Sequence, residues 1–201
     1  MLHPDEVKGF LDPVEGEALA RYAREAARQG PVLEIGTYCG KSALYLGPAV
    51  REAGRVLFTL DHHRGSEEHQ PGEGYHDPEL YNADLGVVET LPALRETLFK
   101  AGLEDCVIPV IGTSRTVAAH WTTPLGMVFI DGGHSMDAAL ADYRGWASKV
   151  MPGGLLAIHD VFPNPEDGGR PPYEIWKLAV ASGLFEQVSR TGTLEVLRRL
   201  P

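Results

Sequence analysis

Residues 31–42 read "PVLEIGTYCGKS". A short apolar run, an acid, and glycines at 36 and 40 describe a buried strand that turns sharply into a helix. The closing Lys-Ser suggests a phosphate loop, but that loop needs four residues between its glycines so that successive N–H groups can encircle a phosphate. Gly36 and Gly40 are separated by only Thr37, Tyr38 and Cys39, which leaves the ring one residue short. The dinucleotide fingerprint fails as well, because Tyr38 stands where a second glycine must let a pyrophosphate approach. A ligand that brings no phosphate to this turn demands less of it.

Outward from that loop, helical and strand patterns alternate. "EGEALARYAREAARQG" predicts a helix over 14–28, stopped by Gly30 and Pro31. "SALYLGPAVREAG" predicts the next helix, and "RVLFTLD" a second strand ending on Asp61. Further helices are expected over 87–102, 114–121, 135–150 and 173–182. Strands are expected at 107–112, 126–131 and 155–160, with a closing pair near 184–190 and 193–199 around the turn "RTGTL". Alternation of this kind specifies an α/β fold, a doubly wound, mostly parallel sheet with helices on both faces. Residues 1–201 read as one domain, with 1–30 as a helical cap. The polar stretch 62–86 holds four of the eight histidines and is far longer than the usual connection of about two to six residues. It suits a solvated insertion and a lid equally.

Composition narrows the partners. A formal net charge of −10, with "LRRL" the only tight basic cluster, argues against nucleic acid and for a small molecule. No apolar run approaches the ~20 residues of a membrane span, and "MLHPDEVKGF" lacks a signal-peptide pattern, so a cytoplasmic protein is expected. Cys39 and Cys106 match no metal spacing and read as structural thiols.

In doubly wound sheets ligands bind beyond the carboxyl ends of the strands. That edge carries Glu34, Asp61, Gly112 with Thr113, Asp131, and His159 with Asp160. Asp61 lies 21 residues beyond Gly40, where an acid can accept hydrogen bonds from a ribose diol. Each such bond is worth roughly 1.5–3 kcal/mol. An NAD enzyme would use the same acid, which leaves the glycine loop to arbitrate.

"MVFIDGGHSMDAALADYRGWASKVMPGGLLAIHDV" (127–161), together with the first loop, resembles class I S-adenosylmethionine-dependent methyltransferases. Within them it is most similar to the small-molecule O-methyltransferases related to catechol O-methyltransferase, in the group with "IDG-x-H" after the fourth strand. The resemblance spans about residues 31–162 and implies a Rossmann-like seven-stranded sheet ending in an antiparallel hairpin. It further implies that Gly36 and Gly40 shape the turn beneath the methionine moiety. Glu34 would orient the cofactor's amino group and Asp61 hold the ribose, while Tyr38 either covers the cofactor or serves packing only. Thr113 and Ser114 would face adenine or cap the helix over 114–121, and Asp131 is expected among both the cofactor-binding and the catalytic groups.

In the catechol-type enzymes the positions of Asp131 and Asp160 bind magnesium. Val161 stands where they supply an amide ligand, so the metal, magnesium or another divalent ion with help from His62, His63, His134 or His159, is left open. His134 occupies the offset of the family's lysine base and, with Asp131, is the expected catalytic group. The acceptor implied is a small-molecule hydroxyl. An NAD- or nucleotide-binding enzyme, a cofactor-sensing module and a metal-dependent enzyme of another class are the rivals, and a homodimer is left open.

Overall fold

The structure, a computed structural model, describes residues 2–164 and 166–201. The strands are β1 (Val32–Ile35), β2 (Leu57–Asp61), β3 (Tyr81–Asn82), β4 (Val87–Val88), β5 (Val107–Ile111), β6 (Leu125–Ile130), β7 (Val150–Ile158), β8 (Phe185–Thr191) and β9 (Leu194–Arg199). The helices are α1 (Pro13–Ala26), α2 (Ala43–Glu52), α3 (Leu91–Ala101), α4 (Ser114–Ala119), α5 (Met136–Trp146) and α6 (Arg170–Ala181). Seven strands form one sheet in the order β5-β2-β1-β6-β7-β9-β8, and β3 and β4 pair separately. Within the seven-stranded sheet β9 runs antiparallel to both its neighbours, β7 and β8, while the other described pairs are parallel.

Each strand divides its side chains between two cores, as a sheet covered on both faces must. Val32, Met127, Phe129, Leu155 and Ala157 pack with Leu19, Leu46 and Leu94 from α1, α2 and α3. Leu33, Val128, Ile130, Leu156 and Ile158 face the other way, onto Trp146 and Ile175 from α5 and α6. The order reverses direction between β1 and β6, and the crevice at that switch point is where such sheets hold ligands.

Several boundaries differ from expectation, among them that the helix expected over 135–150 ends at Trp146 and the strand expected from 155 begins at Val150. The helix expected from 87 begins at Leu91, because the β-branched Val87 and Val88 pair with Asn82 and Tyr81 in a short hairpin before Pro92 opens the helix. The last helix starts at Arg170 rather than 173, with Pro171 and Pro172 in its first turn. β7 ends at Ile158, which releases His159 and Asp160 from the sheet. Cys39 and Cys106 are both free and buried. On the last helix and hairpin the aromatic Phe185 is buried, and the aliphatic Leu178, Val180, Leu184 and Val188 are exposed. No described helix is long and apolar enough to cross a membrane.

Candidate active site

The first loop is pressed against the end of the neighbouring strand. Gly36 has φ +89°, and a Cβ there would run into the Asp131 carbonyl. Asp61 organises the same loop: its Oδ2 accepts from the backbone N–H groups of Thr37 and Tyr38, both at 3.0 Å, and its Oδ1 from that of His63 at 2.8 Å. A carboxylate offers about four lone-pair positions, so Asp61 keeps about one for a ligand. Glu34 lies fully buried beneath the loop, and neither carboxyl oxygen has a hydrogen-bond partner. Burial, reinforced by the nearby Asp131 and Asp61, pushes its pKa up to about 8. Glu34 therefore carries its proton at neutral pH.

Beyond β6 and β7 lies a chain of alternating acids and histidines. His159 Nε2 is 2.9 Å from Glu15 Oε2, while its Nδ1 is 2.9 Å from Asp131 Oδ1 and 3.5 Å from Asp160 Oδ2. His134 Nε2 stands 3.0 Å from Asp160 Oδ2, and its Nδ1 is 3.4 Å from Glu68 Oε2. Asp160 adopts a left-handed backbone, φ 55°, which is rare outside glycine and aspartate or asparagine and tends to be retained where function needs it. Burial opposes ionisation of Asp160, but hydrogen bonds from His134 and His159 outweigh it and hold the carboxyl well below its usual range. The Asp160 and Glu68 carboxylates in turn raise His134 to about 10, against burial.

The insertion 62–86 forms a wall. Lys8 Nζ bridges Asp77 Oδ2 and Glu79 Oε2, each at 2.5 Å, and so ties the insertion to the N-terminal segment. The Phe10 ring lies 5.2 Å from that of Tyr75, and Tyr38 stacks on His69 at 5.1 Å. Together these segments close a cavity of about 610 Å³ over the switch point.

Of the residues expected to act, Gly36, Tyr38, Asp61, Thr113, Ser114, Asp131, His134 and Asp160 all border this cavity. Glu34 and Gly40 do not; Glu34 is sealed below, and Gly40 packs toward Leu94 of α3. Thr113 caps α4 through its hydroxyl, and Ser114 Oγ accepts from Trp146 Nε1 at 2.8 Å, so both hydroxyls already serve the fold. His63 turns away to Thr90 Oγ1 at 2.7 Å. Arg170 pairs with Glu174 one helical turn on. Glu15 and Glu68 were not anticipated; neither carries a motif that would single it out.

The family described as "Methyltransferase domain" matches residues 33–161, more than half of the chain, and the chain belongs to it. It is an S-adenosylmethionine-dependent methyltransferase. The O-methyltransferase TomG from Streptomyces achromogenes, crystallised with SAM, superposes with a TM-score of 0.66 at 18% identity, covering 96% of this chain and 82% of TomG. An O-methyltransferase from Bacillus cereus in complex with SAH gives 0.65 at 18%, covering 96% and 83%. The O-methyltransferase NovP gives 0.70 at 14%, covering 92% and 79%. At these identities the likeness establishes the fold.

The residues suit this cofactor. Its ammonium and sulfonium are cations, and the cavity beside the loop is bordered by the carboxyls of Asp61 and Asp131. The fit to a divalent metal is worse. Asp131, His159 and Asp160 bring one potential ligand atom each within 4.8 Å of one another. Yet both ring nitrogens of His159 already face carboxylates, Asp160 Oδ2 is shared with His134, and Val161 offers only a buried alkyl group.

Proposed function

We propose that this methyltransferase acts on a hydroxyl of a small molecule, with His134 as general base. The observation that carries the reading is His134 itself, an imidazole at the cavity wall aligned by Asp160 at 3.0 Å. The bound cofactor supplies an electrophilic methyl on a sulfonium. The chain's task is to align the acceptor oxygen with that methyl and to take its proton, and alignment alone contributes several kcal/mol. With Glu68 and Asp160 both beside it, the ring holds a proton at pH 7. An acceptor entering between His134 and Glu68 separates one carboxylate from the ring, and the cofactor's positive charge lowers its pKa further. Asp160 then remains as the orienting partner, leaving Nδ1 to accept the hydroxyl proton.

Thr113, Ser114 and Asp61 are proposed to border adenosine, and Tyr38 and Asp131 the methyl-bearing end. A magnesium ion on Asp131 and Asp160 would have to displace His159 from one and His134 from the other, so no step is written through it. The charge of −10 supports a small-molecule acceptor over nucleic acid. Exposed Leu178, Leu184 and Val188 keep a homodimer within the proposal, and a cytoplasmic location accords with the free thiols.

The test is calorimetric titration with S-adenosylhomocysteine, followed by a hydroxyl-acceptor panel read by S-adenosylhomocysteine release. Micromolar binding and turnover that His134→Gln lowers at unchanged affinity are expected. Binding of a nicotinamide dinucleotide in its place, or full turnover in His134→Gln, would overturn the reading.

A further inference from the structure

His159 is 4% exposed and hemmed in by Glu15 from α1, Asp131 after β6, Asp160 beside it, and the Phe129 ring at 6.3 Å. A neutral imidazole has one N–H and one lone pair. It cannot donate from both nitrogens, yet an acidic carboxylate oxygen lies 2.9 Å from each. With the carboxylates ionised, only the doubly protonated ring satisfies both contacts. Glu15 is fixed in turn: its Oε1 accepts from Thr193 N at 2.6 Å and Thr193 Oγ1 at 2.9 Å, so α1 and the β8–β9 turn hold the carboxylate against the ring. Burial opposes ionisation of Glu15, but these bonds and His159 hold it down to about 2.

Asp131 and Asp160, side by side at the sheet edge, would repel each other unless a cation lay between them. In the catechol-type pattern that cation is a metal. We infer that in this chain His159, clamped by Glu15, is the cation that holds Asp131 and Asp160 together, and that the centre works without a divalent metal. The doubly protonated ring has no lone pair for a metal, and Asp131 Oδ1 and Asp160 Oδ2 each already face a ring N–H. His159 is too buried to touch an acceptor, so its part is to set the position and charge of the two aspartates. Glu15 acts through His159 and is a positioning residue. The inference does not rest on the acceptor proposed above, and its test reads no turnover.

Metal-stripped full-length protein is titrated calorimetrically with Mn²⁺, and the ring nitrogens of His159 are observed by ¹⁵N NMR at pH 8. No micromolar Mn²⁺ site and protons on both nitrogens are expected. His159→Ala leaves three carboxylates facing one another and should bind Mn²⁺ about tenfold or more tightly than the parent. Glu15→Gln keeps the side chain's shape and should lower the pH at which the ring loses its second proton by about one unit or more. Micromolar Mn²⁺ binding by the parent, lost in His159→Ala, would make the histidine a ligand and overturn the inference. An unchanged ring titration in Glu15→Gln would remove Glu15 from it. Should His159→Ala not fold, the parent's spectrum and titration decide the matter alone.

Discussion

Replacing Glu34 by glutamine should stabilise the protein, by an amount that depends on pH. The carboxyl is sealed from water with no partner, and its pKa stands at about 8 against an ordinary 4.5. Between those values the folded chain keeps a proton that the unfolded chain has lost, so stability falls as pH rises through this window. Below about 4.5 both states are protonated and the penalty vanishes. At pH 7 it is 2.5 pH units deep, and at 1.36 kcal/mol per unit that is about 3 kcal/mol. Glutamine has nearly the same shape and no charge to desolvate. Urea unfolding of both proteins at pH 5, 6, 7 and 8 should show the variant's advantage growing by roughly 1.4 kcal/mol per unit. The depressed acids Glu15 and Asp160 titrate identically in both and cancel in the difference. Parallel stability curves would refute the reasoning, because they would mean that Glu34 is ionised or solvated.

Further outcomes follow from the same geometry. Asp61→Ala should weaken S-adenosylhomocysteine binding about tenfold or more, since it removes both the expected ribose acceptor and the anchor of three loop amides; unchanged calorimetric affinity would reject the assignment. Gly36→Ala should cost about 3 kcal/mol or more, because a Cβ meets the Asp131 carbonyl at φ +89°. Gly72→Ala has a similar φ of +96° but open space, and should cost about 1 kcal/mol; thermal unfolding of the pair separates collision from backbone strain. Lys8→Ala should barely change global stability, its ion pairs being solvent-exposed, but should hasten proteolysis within 66–86; an unaltered cleavage rate would show that the insertion is held by other contacts.

Local periodicity carried most of the fold. "VLEI", "LFTLD" and "GMVFI" are short apolar runs between glycines and acids, and such runs in alternation with helices leave little choice of topology. Val87 and Val88 were misread because their partners, Asn82 and Tyr81, sit inside a polar insertion that carries no strand pattern of its own. At the site, Asp131, His134 and Asp160 were legible because strand ends converge on one edge. Glu15 was not. An acid in the first turn of a helix is expected there for the helix dipole, and nothing local indicates that it meets His159, 144 residues away. Glu68 was hidden for a different reason, since its place over His134 depends on how an irregular insertion folds back. The protonation of His134 and Glu34 was also beyond the sequence, because burial and charge neighbours exist only in three dimensions.

The wall built by Lys8, Phe10 and the insertion has a consequence for kinship. The segment shared with the family starts at residue 33, whereas Lys8, Phe10, Leu11 and Phe162 on the cavity wall, and Glu15 behind His159, fall outside it. Part of the cavity wall is thus supplied from outside the matched segment, while Glu68, His134 and the insertion lie within it. Two members can therefore share every residue of the glycine loop and still differ along residues 8–11, which border the cavity.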